Sequence, residues 1–535
     1  MTTTRPARAK RPLGTVSLVS AGPGDPELVT VRAAALLAAA ESVVADVDAV
    51  EIARRYAPDA ELVTVLDDDG LPIDNAARAR KVVERARAGD VVVRLFAGDP
   101  ILDGSLAAEA RVLHRVKMPF EVAPGVSVVS GVAAYAGFPL TNAKVHEVRI
   151  VDLDSVTDWA EYADPKFTLV VPDGADRAPE IAAALKAAGR KGDTPIAITR
   201  RATTVEQRTI ASTLDELAAA VKAAKQVGPG TVVVGEVITA RDKLSWFETK
   251  PLFGWRVLVP RTKEQAATLS EVLRGYGAVP VEVPTISVEP PRTPQQMERA
   301  IQGLVTGRYQ WVGFTSANAV KAVRVKFEEY GLDARAMAGL KIAAVGDQTA
   351  RALIEFGVKP DLVAGGDQSS AGLLAEWPPY DAEIDPIDRV FLPRADIATE
   401  TLAAGLVKLG WEVDDITAYR TVRAAPPPAE TREAIKTGGF DAVLFTSSST
   451  VRNLVGIAGK PHACTVIACI GPQTAQTATE HGLRVDVLAE TPSAIVLAEG
   501  LAAHAEQMRL KAIENGDLTW RPSRRRAGGR RRSSS

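Results

Sequence analysis

The sequence predicts an α/β protein made of two α/β regions in series, and three observations support this fold class. Up to about residue 245, short apolar runs alternate with alanine-rich stretches of helical period, as strands alternate with helices. The second region contains three strand-and-turn patterns that occur twice in the same order. Several predicted strands end in glycine, serine or threonine, and strand carboxyl ends in open α/β sheets face the ligand crevice.

The bulk composition is that of an ordinary globular protein and excludes several functional classes. The chain has 535 residues, of which 46% are hydrophobic and 24% charged, and its net charge is −2. No broad basic field is present, so no specific nucleic acid is expected as a partner. We expect the arginine-rich end at 524–532 to be disordered, with a solubilising or loosely electrostatic role. The sequence shows no secretory signal and no apolar run of about 18 residues, which predicts no membrane association and a cytoplasmic protein.

The cysteines and histidines indicate neither disulfides nor a metal site. Cys464 and Cys469 flank one predicted strand and are expected to lie in the core. The five histidines are scattered along the chain, so no metal centre is predicted.

Composition shifts divide the chain into successive parts. Aromatic residues and prolines crowd a short stretch after residue 245, and this stretch is interpreted as a linker. The predicted boundaries are a flexible tail at 1–12, a first domain at 13–245, a linker at 246–254, a second domain at 255–507 and a basic disordered tail at 508–535.

The first predicted strand, Val16–Val19, leads into a loop with two glycines and two prolines within residues 22–26. Such a loop is rigid and exposes its backbone, and a helix is predicted to follow over Thr30–Ala40. The loop does not match the GxGxxG pattern, so a site for a nicotinamide cofactor is not supported. A plain tight turn between strand and helix is the alternative.

Four further segments follow in a characteristic order, at 96–100, 124–141, 203–208 and 232–237. Together with the first loop they resemble the tetrapyrrole methylases, specifically uroporphyrinogen-III C-methyltransferase, over about 13–245. The resemblance implies two α/β domains that bind S-adenosylmethionine between them, with methyl transfer to uroporphyrinogen III. It also implies that Asp46 is the base that removes a proton from the methylated carbon; a solvated aspartate at a strand end is the alternative. The implied cofactor contacts are Pro23, Ala97, Gly98, Asp99, Leu102, Ser127, Val128 and Ala202.

The sequence departs from this family where cations are expected. Val47 stands where an arginine usually follows the base, and 66–69 contains aspartates where a catalytic lysine is usual. Residues 103–107 and 142–143 lack the family's other basic residues, which would hold an anionic macrocycle. Three alternatives follow: an active methylase, a domain that only binds the cofactor, or a methylase with another acceptor.

The duplicated patterns of the second region each join an apolar strand to a polar helix start. The matched pairs are Trp255–Val259 with Val390–Leu392, each before Pro-Arg; Val312–Phe314 with Val443–Phe445, each before Thr-Ser; and Ile342–Val345 with Val466–Ile470, each before Gly-x-Gln-Thr-Ala. Two similar halves facing each other would form a cleft lined by hydroxyl and backbone N–H donors, which suits a polyanion.

With the segment at 415–421, these repeats resemble uroporphyrinogen-III synthase over about 252–503. The resemblance implies two doubly wound lobes, one combining 255–286 with 421–505 and the other covering 290–418. It implies cyclisation of hydroxymethylbilane, which carries eight carboxylates, with inversion of the last ring and without a cofactor. The linear substrate also closes unaided in the uninverted form, so the protein must hold a conformation more than supply reagents.

Neutral donors at the strand ends are the candidate substrate contacts. Tyr419 is the candidate acid that assists departure of the substrate hydroxyl, with a buried structural tyrosine as the alternative. The candidate substrate contacts are Arg261, Thr315, Ser316, Gly346, Gln348, Arg394, Thr446, Ser447, Ser448, Gly471, Gln473 and Thr474. For the hydroxyl residues the alternative is helix capping, and for the two arginines it is capping of their own lobe.

The favoured interpretation is a fusion that makes uroporphyrinogen III and methylates it. A synthase whose front half is only a scaffold and a non-catalytic two-lobed anion receptor are the alternatives. The partners predicted are hydroxymethylbilane and uroporphyrinogen III, with a dimer through the methylase region as a further expectation.

Overall fold

The computed structural model describes residues 12–67, 69–224, 228–260, 263–398, 400–515 and 521–523, and at 263–267 only the backbone. Arg261, the tail at 1–11 and the arginine-rich end at 524–535 lie outside the described residues. The chain divides into two compact units, one spanning residues up to 255 with 274–279, the other 256–273 with residues from 280 onward.

The first unit contains two five-stranded sheets. Its strands are β1 Val16–Ser20, β2 Ser42–Ala45, β3 Glu61–Thr64, β4 Val92–Phe96, β5 Glu121–Ala123, β6 Glu147–Ile150, β7 Phe167–Val171, β8 Pro195–Arg200, β9 Arg208–Thr213 and β10 Gly230–Val234. Its helices are α1 Val31–Ala38, α2 Val50–Tyr56, α3 Asn75–Ala88, α4 Ser105–Arg115, α5 Val128–Ala136, α6 Ala178–Ala187, α7 Leu217–Ala224 and α8 Arg241–Leu244.

The first sheet has the order β3-β2-β4-β1-β5 and is parallel throughout, whereas the second, β6-β7-β10-β8-β9, is mostly antiparallel. All five residues of β1 and of β4 are buried, because helices cover both faces of a parallel sheet. The predicted helix after β1 starts as expected, since the Thr30 hydroxyl accepts from the amide of Ala33 and caps α1. The parallel sheet therefore places the β1, β4 and β5 loops at one edge.

The stretch at 246–254, which the sequence indicated as a linker, packs onto the first unit. Phe247 is 6% exposed and Leu252 fully buried. The indole Nε1 of Trp246 donates to the carbonyl of Ala134 at 2.9 Å. Aromatic area of this size is buried wherever a partner surface exists, because burial of each ring is strongly favourable.

The second unit also contains two sheets. Its strands are β11 Arg256–Pro260, β12 Val279–Val283, β13 Ile286–Glu289, β14 Trp311–Phe314, β15 Lys341–Ala344, β16 Leu362–Val363, β17 Arg389–Ala395, β18 Glu412–Arg423, β19 Ala442–Phe445, β20 Val466–Cys469 and β21 Val487–Leu488. Its helices are α9 Lys263–Gly275, α10 Pro294–Val305, α11 Ala317–Glu329, α12 Asp347–Phe356, α13 Ser370–Glu376, α14 Thr401–Lys408, α15 Ala429–Thr437, α16 Ser448–Ala458, α17 Pro472–Glu480 and α18 Ala494–Glu514.

The two sheets of the second unit repeat one arrangement. One sheet has the order β12-β11-β19-β20-β21. In the other sheet the strands β18-β17-β14-β15-β16 occupy the corresponding positions in the same order, and β13 is a sixth strand at the edge beside β18. The repeat extends to single hydrogen bonds. The amide of Ile342 donates to Asp361 at 2.7 Å and that of Ile467 to Asp486 at 3.0 Å, at matching places in the two sheets. The duplication in the sequence is therefore a duplication of the fold.

Several expected boundaries fall elsewhere. Strands β13 and β18 pair antiparallel and both belong to the six-stranded sheet, so that sheet runs through the expected lobe limits at 290 and 418. Helix α18 continues across 508–514, which the sequence analysis assigned to the tail, and Ala512 is 9% exposed there. Cys469 is buried as expected, but Cys464 is only half-buried beside His462. In the described part of the chain, no helix is long and apolar enough to span a membrane.

Candidate functional site

Loops that follow four strands of the first unit meet in one place. The backbone of Gly98 after β4 donates to the carbonyl of Gly22 after β1 at 3.1 Å. The Ser20 hydroxyl donates to the Gly98 carbonyl at 2.7 Å. Pro23 lies against Gly131 of α5, where a Cβ would come within 2.7 Å of the proline ring, so only glycine fits. These contacts fix the two loops that carry most of the predicted cofactor residues.

The remaining predicted cofactor residues lie around the same loops. Val128 lies 3.5 Å from the place where a Cβ of Gly98 would be, and the carbonyl of Ala202 lies 3.3 Å from the corresponding place on Gly24. The Asp99 carboxylate accepts from the amide of Leu102 at 3.4 Å, and Leu102 is 40% exposed. Ser127 stands at the start of α5, yet its side chain does not cap that helix.

Asp46 is held by a set of charged residues that the sequence analysis missed. One of its carboxylate oxygens accepts from Arg94 at 2.7 Å and lies 3.6 Å from Arg78, and the other accepts from the amide of Ala97 at 3.0 Å. Arg94 is fully buried and also forms a bidentate pair with the fully buried Glu109. The predicted base and the predicted cofactor loop are thus joined through one carboxylate.

A signal for this network was present in the sequence. Arg94 interrupts an otherwise apolar strand, and a charge in a buried strand needs a partner because an unpaired buried ion is strongly unfavourable. The partner, Glu109, lies on α4, and strand and helix patterns alone do not bring the two together. Burial raises the pKa of Glu109, and the hydrogen bonds and charge of Arg94 oppose that shift.

Asp173 is a second residue that the sequence analysis did not include. It follows β7 with a φ of +55°, and such left-handed backbone outside glycine often marks a functional loop. The side chain of Asp173 reaches solvent. Its pKa is nevertheless raised, mainly because the carboxylate is partly desolvated and also because the carboxylate of Asp103 repels its charge. The signal was an aspartate before Gly174 at a strand end.

In the second unit, Tyr419 meets one of the predicted hydroxyl residues. Its phenol lies 2.9 Å from the Ser316 hydroxyl, and Tyr419 is 6% exposed. Ser316 is also the N-cap of α11, since its hydroxyl accepts from the amide of Ala319 at 3.2 Å. Thr315 precedes it at the end of β14 and is half-buried. The structure therefore joins the candidate acid to a serine that also caps a helix.

The matching serines of the other sheet behave in the same way. Ser447 caps α16 in a reciprocal pair with Thr450. The Ser448 hydroxyl donates to the carbonyl of Gln473 at 3.1 Å, which links the starts of α16 and α17. Thr446 ends the strand and is half-buried. Helix capping, the alternative for these hydroxyls, is therefore real for Ser316 and Ser447.

The glycine-led helices differ from the serine-led ones. Gly346 and Gly471 stand at the N-caps of α12 and α17, and neither helix has a side-chain cap. A helix start without a side-chain cap offers backbone N–H groups and a partial positive charge to an anion. Gln348 and Gln473 are exposed there, whereas Thr474 is 4% exposed and turned into the fold.

Arg394 contacts groups of its own sheet and of the loop that follows it. Its guanidinium pairs with Asp415 on the neighbouring strand β18 and donates to the carbonyl of Ala398 at 3.1 Å. Its counterpart, Arg261, lies outside the described residues. Across the residues that the structure describes, no cluster of histidine, cysteine, aspartate and glutamate could hold a metal ion.

Two family models match the two units separately. Residues 15–218 match the tetrapyrrole (corrin/porphyrin) methylases, and residues 267–499 match uroporphyrinogen-III synthase HemD. These matches are consistent with both resemblances seen in the sequence.

Similar proteins include one that resembles nearly the whole chain. The porphyrin biosynthesis protein HemD of Ruminiclostridium josui is 31% identical over 488 residues, covering 88% of this chain and 94% of that protein. The siroheme synthase of Azotobacter vinelandii is 40% identical over 253 residues, covering 45% of this chain and 53% of that protein, so the chain spans about half of that relative.

A solved structure is similar to the first unit. The uroporphyrin-III C-methyl transferase of Thermus thermophilus, complexed with S-adenyl homocysteine, is 33% identical, with a TM-score of 0.35. The similarity covers 42% of this chain and 93% of that one.

Proposed function

The chain belongs to the HemD family of porphyrin biosynthesis proteins and carries a methylase and a synthase domain, and we propose that it performs two consecutive steps of tetrapyrrole synthesis. The second unit cyclises hydroxymethylbilane to uroporphyrinogen III with inversion of the last ring. The first unit then transfers methyl groups from S-adenosylmethionine to carbon atoms of that product. The observation that carries the proposal is the joining of both domains in one chain together with the duplicated helix starts of the second.

The synthase step needs binding more than reactive groups. A linear substrate with eight carboxylates closes spontaneously in the wrong form, so the protein must hold the terminal ring in the inverted position. The N-termini of α12 and α17, which lack side-chain caps, supply amides for carboxylates without introducing strong acids or bases. The exposed side chains of Gln348 and Gln473 add neutral donors at the same two places.

Tyr419 is the proposed acid of this step. Its phenol protonates the departing hydroxyl of the substrate, which leaves as water while the electron pair of the pyrrole nitrogen forms the azafulvene. A ring carbon attacks this electrophile, and the proton lost when the attacking pyrrole becomes aromatic again returns to the phenolate. Ser316, 2.9 Å from the phenol, orients that proton and is held in turn by its capping bond to α11. The low exposure of Tyr419 supports this role, because a proton donor acts best where water is excluded.

The residues of the first unit fit S-adenosylmethionine. Small residues and bare backbone line the meeting point of the loops at 22–24, 97–98 and 202, where a folded cofactor needs close approach. The carboxylates of Asp99 and Asp173 lie on loops of the same unit and suit a cationic sulfonium. When bound, S-adenosylmethionine would supply an electrophilic methyl group, and the loops at 22–24, 97–98 and 127–128 are the residues that would hold the cofactor and orient it.

Asp46 remains the proposed base that removes the proton after methyl transfer. Arg94 and the amide of Ala97 hold its carboxylate beside the cofactor loop. Arg78 supplies a cation near Asp46, in a region where the sequence lacks the family's usual lysine and arginines. This arrangement supports an active methylase over a domain that only binds the cofactor.

Both proposed substrates are water-soluble polar acids, which supports a cytoplasmic location. The proposed reactions require neither a membrane nor a nucleic acid. We also propose that the chain forms a dimer through its methylase unit.

One assay tests the whole proposal. Purified full-length chain is supplied with hydroxymethylbilane, with and without S-adenosylmethionine, and the product isomers are separated. We expect uroporphyrinogen III without the cofactor and methylated uroporphyrinogen III with it. Only the uninverted isomer, formed at the spontaneous rate, would contradict the synthase step. Type III product that stays unmethylated would contradict the methylase step and leave the first unit a scaffold.

A further inference from the structure

The loop between β8 and β9 holds two residues in a backbone conformation that favours glycine. Arg201 has a φ of +47° and Thr203 a φ of +66°. For a β-branched residue such as threonine this is a true outlier, and it persists only where the surroundings hold it. Thr203 is 2% exposed, so solvent does not determine its conformation.

The side chain of Gln207 holds this loop in place through hydrogen bonds. Its side-chain oxygen accepts from the amide of Thr203 at 2.7 Å. Its side-chain nitrogen donates to the carbonyl of Tyr135 at 3.0 Å and to the carboxylate of Glu248 at 3.1 Å. Gln207 is fully buried, and Glu248 in turn pairs with Arg241. A fully satisfied buried amide of this kind fixes the groups around it, because any rearrangement would leave a polar atom unpaired.

The loop held in this way supports the predicted cofactor loop after β1. The Thr203 hydroxyl accepts from the amide of Asp25 at 2.9 Å. A Cβ on Gly24 would lie 3.1 Å from the Thr204 methyl and 3.3 Å from the carbonyl of Ala202, so the two loops interlock. Pro23 directly precedes this contact.

The same loop is held a second time through Tyr135. The phenol donates to the Asp25 carboxylate at 2.8 Å. The ring of Tyr135 packs edge-on against Trp246 and Phe247, with centroid distances of 5.1 and 4.6 Å. Burial first, and then the bond to Asp25, raise the pKa of Tyr135, so the phenol stays a donor at neutral pH.

We infer that Thr203 and Gln207 are positioning residues for the S-adenosylmethionine loop, and that the segment at 246–250 holds them in place. This inference rests on the proposed methylase function. Trp246 and Glu248 lie beyond residues 15–218, which match the methylase family, in the segment that leads into the second unit. Cofactor binding and the packing of this segment are therefore coupled, and the coupling is reciprocal.

A matched pair of variants in the full chain tests the positioning role. Thr203→Val keeps the shape and β-branching but leaves the part-buried amide of Asp25 without its acceptor, whereas Thr203→Ser keeps the hydroxyl. We expect Thr203→Val to weaken S-adenosylmethionine binding roughly tenfold in isothermal titration, with KM for the cofactor raised and kcat retained. Thr203→Ser should rescue binding to within about twofold. Equal affinity of Thr203→Val and wild type would overturn the inference.

Limited chymotrypsin digestion tests the coupling separately and needs no folded valine variant. Phe247 is 6% exposed and its ring packs against Tyr135, so release of the segment exposes a cleavage site. We expect S-adenosylmethionine to slow cleavage after Phe247 in wild type and to protect less in Glu248→Ala. Cleavage that is indifferent to the cofactor in a wild type that binds it would refute the coupling. A wild type that gives no binding heat would instead remove the proposed methylase function, and this inference with it.

Discussion

Arg94 of the first unit and Ser316 of the second represent two ways of holding a site. Arg94 is fully buried and forms ion pairs with Glu109 and Asp46. Asp46 in turn accepts from the amide of Ala97 in the proposed cofactor loop. Ser316 caps a helix with its own hydroxyl, and Ser447 repeats the arrangement in the matching sheet. The proposed cofactor site thus depends on long-range contacts between residues of different types, whereas the proposed site for a substrate with many carboxylates repeats a local motif.

The difference has an energetic side. Removing one member of a buried ion pair leaves the other charge uncompensated in the interior, and the loss is large. A helix-start contact is worth less, and its duplicate in the other sheet remains. Single substitutions should therefore damage the first unit more than the second, and four experiments test this difference.

The largest effect is expected for Glu109→Ala. It leaves the buried guanidinium of Arg94 without its bidentate partner, and we expect the first unit to lose about 3–5 kcal/mol of unfolding free energy. Calorimetry of the full chain measures the transition of each unit. Glu51→Ala is the control, because its pair with Arg54 is exposed on both sides and should contribute almost nothing. Equal losses in both variants would show that the buried pair does not hold the unit.

Tyr419→Phe should affect turnover more than stability. Phenylalanine keeps the packing but removes the proposed proton donor, and we expect kcat for type III product to fall about a hundredfold. Tyr309→Phe is a matched control, because Tyr309 lies in the same core cluster and its phenol donates to Asp414 at 2.7 Å. Wild-type turnover of Tyr419→Phe would make the second unit a purely conformational catalyst.

Gly471→Ala tests whether the start of α17 contacts substrate. A Cβ there meets nothing within 4 Å and the backbone is extended, so stability should stay unchanged. We expect KM for hydroxymethylbilane to rise about fivefold, because the added methyl group occupies space beside the backbone N–H groups that a substrate carboxylate would contact. Gly346→Ala is the counterpart in the other sheet, where the Cβ would lie 2.9 Å from the Gln368 side chain and displace it. An unchanged KM in both variants would remove these helix starts from the site.

The smallest effect is expected for Asp173→Asn and depends on pH. The folded-state pKa of Asp173 is raised above its ordinary 3.8, so ionisation disfavours the folded form and stability falls as pH rises through that range. Asparagine should therefore stabilise the first unit at pH 7, by at most about 0.5 kcal/mol because solvent screens the group. At about pH 3, below the ordinary value, the gain should vanish. Equal gains at both pH values would indicate a backbone effect, since asparagine also tolerates positive φ.

Local features of the fold could be predicted from the sequence. The apolar strands at 16–19, 312–314 and 443–445 lie where expected, because a run of branched apolar residues between turn residues leaves few other conformations. The start of α1 at Thr30 followed from side-chain capping within three residues. The duplication was visible in the sequence because both copies have the same local order: an apolar strand, then a hydroxyl residue or glycine, then a helix.

Contacts between distant residues were decided only by the tertiary structure. Arg94 and Asp46 are 48 positions apart and Ser316 and Tyr419 are 103 apart, and no local pattern records such pairings. The same reason explains why Arg394 is engaged by Asp415 and why the expected linker packs on Tyr135. Local sequence determines which conformation a segment prefers and which groups it offers, whereas the packing of sheets and helices decides which of those groups meet.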